Sequence, residues 1–267
     1  MEIIKYNDIN FERLEKLPKQ GNFSTIYCQG DVCYKLFENL NDAEIEVMLR
    51  KFLEMDGIQI VGAIFPKTLI MHNNKFVGYT MDYYKGAITL FDMFQSRYVS
   101  CKALFSYVIK ATDVLKKLHE NGIIYQDLNF ENILVDNEDN IHFCDMDACC
   151  YNNLISPFIP AVMQSLWINY RKETDVFTEK VDRISMLTSL LHLIYAKEIQ
   201  EITPRKYDKL SRNVRTLENL RPIFDMLVDV NRDVEDIPYL DELIDRSDDY
   251  VFDRNKLLGF SRLLKKY

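Results

Sequence analysis

The run Tyr125-Gln126-Asp127-Leu128-Asn129-Phe130-Glu131-Asn132-Ile133-Leu134-Val135, followed ten residues on by Asp145-Met146-Asp147, decides how this chain is read. The apolar triplet Ile133-Leu134-Val135 ends on the polar turn Asp136 to Asn140, and a second short apolar run answers it at 141–144. Two short strands joined by a turn are the natural reading. That hairpin carries Asn132 at its entrance and Asp145 at its exit, so their side chains arrive side by side. Asp127 lies five residues before Asn132. A single Asp or Asn carries no information. A carboxylate, a carboxamide five residues later and a second carboxylate after an apolar strand form the donor set that phosphoryl transfer needs. The first can take the proton of an acceptor hydroxyl, while Asn132 and Asp145 offer hard oxygens to Mg²⁺.

Toward the N-terminus from this run, Leu104, Val108, Ala111, Leu115 and Leu118 keep helical spacing across 102–120, and Asn121-Gly122 is a stop signal. Residues 14–36 hold two strand-like runs around the turn Gln29-Gly30-Asp31, and the second places Lys35 inside the apolar segment Val32 to Phe37. Asn41-Asp42 signals a helix start; Ile45, Met48, Leu49, Phe52 and Leu53 share one face behind it, and Gly57 closes it. Runs at 58–65, 67–71 and 75–81 read as three strands, with Asn73-Asn74 as a turn between the last two. The pattern changes at Asp82 to Gly86. Helices dominate afterwards, and from residue 181 the pattern is helical to the end, broken at Pro204, Pro222 and Pro238.

With these pieces in order, the chain resembles the protein kinase superfamily, as a divergent, bacterial-type member of the eukaryotic-like Ser/Thr kinase fold. Gly122 to Val135 is similar to the family's catalytic loop H-R-D-L-x-x-x-N, and Asp145-Met146-Asp147 to its D-F-G metal motif. Lys35, in V-C-Y-K, sits where the family's ATP-binding strand lysine sits. Glu44 resembles the helix glutamate that pairs with that lysine, with Glu46 as the alternative. Lys19 to Ile26 looks like a degenerate glycine-rich loop that keeps Gly21. Val77 to Tyr84 is similar to the strand entering the hinge, and Asp182 to the aspartate that holds the catalytic-loop backbone. The resemblance implies an α+β, bilobal protein-kinase-like fold: a small β-rich N-lobe with one helix over 1–84, and a larger helical C-lobe over 85–267. It further implies ATP and Mg²⁺ as ligands. Asp127, Lys35, Glu44 and Asn132 would be catalytic; Gly21, Lys35, Met81, Asp82 and Tyr84 would contact the nucleotide; Asn132 and Asp145 would hold the metal.

The departures from the family pattern are specific. Lys19 and Ser24 stand where two of the three loop glycines would be. Tyr125 and Gln126 replace the histidine and arginine before the catalytic aspartate, and that arginine is the family's partner for a phosphate on the activation segment. Asn129 stands where many members place a lysine facing the γ-phosphate. Asp147 replaces a glycine, either as a second metal ligand or as a solvated turn residue. No A-P-E motif is recognisable near 168–170. His119 and His142 fall on no catalytic position and read as structural.

Composition bounds the partners. The chain has 267 residues, 48% hydrophobic and 12% aromatic, enough apolar surface to build a core and to exclude disorder. Formal net charge is −8, and no basic block would track a nucleic-acid backbone or anchor the chain to a membrane. The apolar stretch Ile184 to Ala196 is too short to span a bilayer and reads as a buried core helix. The first ten residues lack the apolar core of a signal peptide. Six cysteines without paired C-x-x-C spacing read as reduced thiols in a cytoplasmic protein. The expectation is therefore a cytoplasmic, ATP-dependent phosphotransferase acting on a Ser/Thr hydroxyl of a protein. The alternatives are an enzyme that phosphorylates a small-molecule hydroxyl, as aminoglycoside-type phosphotransferases do, and a pseudokinase that serves as a binding module.

Overall fold

The structure, a computed structural model, describes residues 1–18, 24–156, 178–197, 199–229 and 237–258. It is a mixed α/β protein. The first half is built on one sheet. Its strands are β1 (Glu2–Lys5), β2 (Glu15–Lys16), β3 (Ser24–Gln29), β4 (Val32–Phe37), β5 (Thr68–His72) and β6 (Lys75–Asp82), in spatial order β1-β5-β6-β4-β3-β2. β1 runs parallel to β5; the other neighbours are antiparallel. Helix α1 (Asp42–Glu54) crosses this sheet and buries Met48 and Phe52 against it, with the Phe52 ring edge-on to Phe76 and Tyr79. Gly78 is required where β6 meets β4, because a Cβ there would lie 2.2 Å from the Lys35 carbonyl oxygen.

The register of β4 fixes the site. Lys35 is opposite Tyr79, and Cys33 opposite Met81. Side chains alternate along a strand, so these four share one face of the sheet. All four are buried.

The second half begins with β7 (Ile88–Thr89), α2 (Leu90–Met93), β8 (Tyr98–Ser100) and the long α3 (Cys101–Glu120). Ser100 caps α3 through the Ala103 N–H, and Leu104, Val108, Ala111, Leu115 and Leu118 form its buried stripe. Short strands β9 (Ile123–Ile124), β10 (Ile133–Val135), β11 (Ile141–Phe143) and β12 (Cys150–Tyr151) follow; β10 and β11 pair as an antiparallel hairpin. Helix α4 (Glu179–Tyr195) is buried nearly all round, as a helix in the middle of a core must be. Around it lie α5 (Pro204–Ser211), α6 (Arg215–Val228), α7 (Leu240–Leu243), β13 (Val251–Asp253) and α8 (Arg254–Leu258). Among the described residues, no helix is long and apolar enough to cross a membrane.

Four sequence expectations are corrected. Residues 58–65 form no strand: Gly57 and Gly62 both adopt positive φ and Pro66 follows, leaving a single bridge between Ala63 and Phe143. Pro222 does not break α6, which continues to Val228; Glu218, whose carbonyl loses the i+4 donor, is an exposed residue. The C-terminal part is not all helical, since β13 pairs with β8 across more than a hundred residues of chain. The cysteines are not all reduced: Cys28 and Cys33 form a disulfide. Their spacing hides the pairing, which comes from the β3–β4 register that sets them directly opposite.

Candidate functional site

The loop between β9 and β10 is held from below by Asp182 of α4. Its carboxylate, fully buried, accepts the backbone N–H groups of Tyr125 (2.7 Å) and Gln126 (2.8 Å) and lies 2.8 Å from His119 Nε2. A buried carboxylate with three such partners is a satisfied anchor. From above, the loop is tied by Tyr125, whose hydroxyl donates to the Cys144 carbonyl beside Asp145. Burial pushes the pKa of that hydroxyl well up, so it remains a donor. The loop and the segment after β11 are thereby fastened to each other.

Within the loop, Asn132 Nδ2 donates to Asp127 Oδ2 (2.8 Å) and to the Asp127 carbonyl (3.0 Å). Asn129 accepts from the backbone of Glu131 (2.9 Å) and Asn132 (3.0 Å) and donates to the Asp127 carbonyl (3.2 Å). Asn129 therefore shapes the turn, and its amide is engaged by the loop itself. Asp127 titrates near 6. Burial raises it most, the Asn132 hydrogen bond opposes that, and the charges of Asp145 and Asp147 add to the rise. A carboxylate poised there is suited to proton transfer near neutral pH.

Asp145 adopts the left-handed backbone conformation (φ 57°, ψ 40°), which turns the chain sharply after β11. Its Oδ1 lies 3.1 Å from Lys35 Nζ, bringing strand β4 of the sheet to the end of β11. Lys35 is 5% exposed and makes a second, shorter ion pair with Asp147 Oδ1 at 2.8 Å. Burial works to lower the ammonium's pKa, but the two carboxylates outweigh it and hold the group above its ordinary value. Tyr79 donates to the same Asp147 oxygen at 2.9 Å. The carboxyl of Asp147 is fully desolvated, which would raise its pKa, yet Lys35 and Tyr79 keep it below the ordinary range. Asp147 is thus not a solvated turn residue: it is the buried partner of Lys35.

Glu44 is elsewhere. Its carboxylate accepts the Asn41 backbone N–H (2.8 Å) while Asn41 Oδ1 accepts the Glu44 N–H (3.0 Å), a reciprocal cap on the first turn of α1. The structure does not bring Glu44 to Lys35, and Glu46 is exposed. The charged side chain that α1 buries is Lys51, wholly inaccessible, whose ammonium donates to the carbonyls of Asp147 (2.6 Å) and Cys149 (2.7 Å). Burial lowers its pKa. The sequence reading missed Lys51 and Tyr79. Lys51 carried a signal, since it lies one helical turn after Met48 on an otherwise apolar face; Tyr79 became visible only through the β4–β6 register.

Met81 lies buried on the Lys35 face, Asp82 at the end of β6 is ion-paired with Lys67, and the Tyr84 ring stacks on His142 at 3.7 Å. Gly21 and residues 168–170 lie outside the described residues. Among the described residues, Asn132 Oδ1 and Asp145 Oδ2 meet no hydrogen-bond donor, and neither do the second carboxylate oxygens of Asp127 and Asp147. Asp145 is partly open to solvent, with 37% of its side chain exposed. A carboxamide and a carboxylate oxygen, both unclaimed, are a donor set that fits a hard divalent cation completed by phosphate and water.

No protein-family model matches the chain. It is similar to the protein named protein kinase C from Drosophila melanogaster, 31% identical over 71 residues, which is 27% of this chain and 10% of that protein. It is also similar to protein kinase C epsilon type from Oryctolagus cuniculus and from Rattus norvegicus, 32% identical over 71 residues in each case. The chain thus spans about a tenth of the length of these curated relatives, and a partial likeness to protein kinases is what the comparisons add to the geometry.

Proposed function

We propose that this chain is an ATP-dependent phosphotransferase of bilobal, protein-kinase-like fold, with residues 1–84 as the nucleotide-binding lobe and 85–267 as the catalytic lobe, transferring the γ-phosphate to a Ser/Thr hydroxyl of a protein. The observation that carries the reading is the meeting of Lys35 with Asp145 at 3.1 Å, beside the Asp127–Asn132 loop. Strand β4 and the segment from Asp127 to Asp145, with Asp145 lying 110 residues after Lys35, converge there with the groups phosphoryl transfer requires. The partial likeness to proteins named protein kinase C supports a protein as acceptor.

In this reading Lys35 sets a positive charge against the nucleotide phosphates, which a neutral side chain of equal length could not do. Asp127 orients the incoming hydroxyl and accepts its proton, and its raised pKa of about 6 suits that exchange. Asn132 fixes the Asp127 carboxylate through its Nδ2, and Asn132 and Asp145 are the residues that would hold Mg²⁺. When bound, Mg²⁺ would neutralise phosphate charge. Met81, Asp82 and Tyr84 border the base at the end of β6.

The test is a binding and transfer assay on the purified chain. ATP with Mg²⁺ should raise the unfolding temperature, and γ-labelled ATP should label Ser or Thr in a protein acceptor or in the chain itself. No thermal shift at millimolar ATP–Mg²⁺ would overturn the reading. Label on a small-molecule hydroxyl alone would replace the protein acceptor.

A further inference from the structure

We infer that Asp147, and no carboxylate of α1, is the counter-ion that positions Lys35, and that Lys51 and Tyr79 hold Asp147 in that role. The inference rests on the reading of Lys35 as a phosphate-binding lysine for its consequence, but not for its geometry. A buried ammonium must be paired, because an isolated desolvated charge is too unfavourable to persist. Two acceptors meet Lys35 Nζ: Asp145, partly solvated, and Asp147, 4% exposed at its side chain. The shorter contact is to Asp147.

Three separate elements converge on Asp147. Tyr79, the cross-strand neighbour of Lys35, donates to the very oxygen that Lys35 contacts. Lys51 reaches from α1 and grips the carbonyls on either side of Ala148, at Asp147 and Cys149, so the backbone bearing the carboxylate is fixed as well. Met55 of the same helix side contacts Cys149. The charge arrangement is inverted: α1 contributes a cation to the segment after β11, and that segment contributes the anion to β4. Lys35 is then placed by a carboxylate two residues beyond Asp145, on a segment that α1 anchors through backbone oxygens. Asp145 keeps one oxygen for a cation without leaving Lys35 unpaired. Asp147, Lys51 and Tyr79 are positioning residues.

The experiment is a pair of double-mutant cycles read by unfolding midpoint and, separately, by ATP–Mg²⁺ affinity. In the first cycle, K35M and D147N are combined. D147N should lower the midpoint strongly in wild type, where Lys35 loses its buried partner and keeps only the partly solvated Asp145, and much less in the K35M background, where there is no ammonium to pair. In the second, K35M and E44Q should be additive. On the binding side, D147N should raise the Kd for ATP–Mg²⁺ roughly tenfold or more, the scale of one charge-assisted hydrogen bond, and D147E should recover part of the loss. If D147N does not fold, Y79F takes its place: it removes one donor to the same oxygen and should couple to K35M in the same sense. Additive K35M and D147N (or Y79F) midpoints, or coupling between K35M and E44Q, would overturn the inference. A wild-type chain that binds no ATP would sink the phosphotransferase reading, while the stability cycles would still decide the role of Asp147.

Discussion

Asn132 Nδ2 donates to Asp127 Oδ2 at 2.8 Å, so the two residues that open and close the loop before β10 are locked together. The lock sets the carboxylate in one orientation, and burial gives it a pKa near 6 in place of the ordinary 3.8. A carboxyl whose folded-state pKa is raised makes the folded state bind more protons than the unfolded state. Stability therefore falls as pH rises from about 4 to about 6, and the full penalty is present above 6.

Asp127→Asn should remove that penalty. The amide keeps the shape and can still accept from Asn132. The variant should be more stable than wild type above pH 6, by on the order of 2 kcal/mol after allowing for partial solvent access, and the gap should close below about pH 4. Phosphoryl transfer should fall by about 10²–10⁴-fold. Thermal melts of both proteins across that pH range, with turnover measured alongside, check both halves; equal melts at pH 8 would show that Asp127 is not strained.

Lys51→Met should be among the most harmful single changes in α1. The thioether fills much of the volume but leaves the Asp147 and Cys149 carbonyls without a donor in a buried place. Each unsatisfied buried carbonyl costs about 1–3 kcal/mol, so a loss of about 3 kcal/mol is expected. Chemical denaturation measures it, and a loss under about 1 kcal/mol would mean the carbonyls had found water.

Gln126→Met should stabilise. The Gln126 side chain is 1% exposed, and both of its amide atoms lack a hydrogen-bond partner among the described residues. An apolar side chain of similar length removes that cost, for a gain of about 1 kcal/mol and a rise of about 2–4 °C in unfolding temperature. The positive φ of 67° persists in the variant and is not part of the gain. A lower melting temperature would show that the amide has a partner in solution.

Glu44→Ala and Asn41→Ala should each cost about 1 kcal/mol, because each removes half of the reciprocal cap on α1. The double variant should cost less than the sum, since either change already breaks the box. Denaturation midpoints of the three proteins decide it.

The loop and its hairpin were legible because their signals are local. The Asp127-to-Asn132 spacing, the apolar triplets and the turn Asp136 to Asn140 need no tertiary knowledge. Helices α1 and α3 were legible for the same reason: caps at Asn41 and at Asn121-Gly122 frame clear apolar stripes. What escaped depends on register or on distance along the chain. Glu44 followed Lys35 in the family order, though after a short connection, but a first-turn glutamate three residues after Asn41 satisfies a capping box, and that local bond decides its direction. Asp147 read as either a second metal ligand or a solvated turn residue because nothing in the sequence says that the segment after β11 brings it to Lys35. The Cys28–Cys33 pairing required the β3–β4 register, and β13 required a partner strand more than a hundred residues earlier.

The last prediction separates the two ends of the site. Asp145 Oδ2 meets no donor among the described residues and 37% of its side chain is exposed, whereas Asp127 faces the loop and is held by Asn132. Asp145→Asn leaves Lys35 paired with Asp147, so the fold should survive, with an unfolding midpoint close to that of wild type. What it removes is a partly exposed carboxylate oxygen that no donor among the described residues claims. Magnesium holds charged hard oxygens best and takes few protein ligands, so the loss of one should be felt directly. The Kd for ATP in the presence of Mg²⁺ should rise roughly tenfold or more, each tenfold being about 1.4 kcal/mol, while ATP binding measured in EDTA should be nearly the same as for wild type. Asp127→Asn should show the opposite pattern, with ATP–Mg²⁺ affinity kept and transfer lost. Titration calorimetry of the two variants with and without Mg²⁺ makes the comparison. Equal ATP–Mg²⁺ affinities in Asp145→Asn and wild type would remove Asp145 from the metal site and, with it, the division of labour between the two carboxylates.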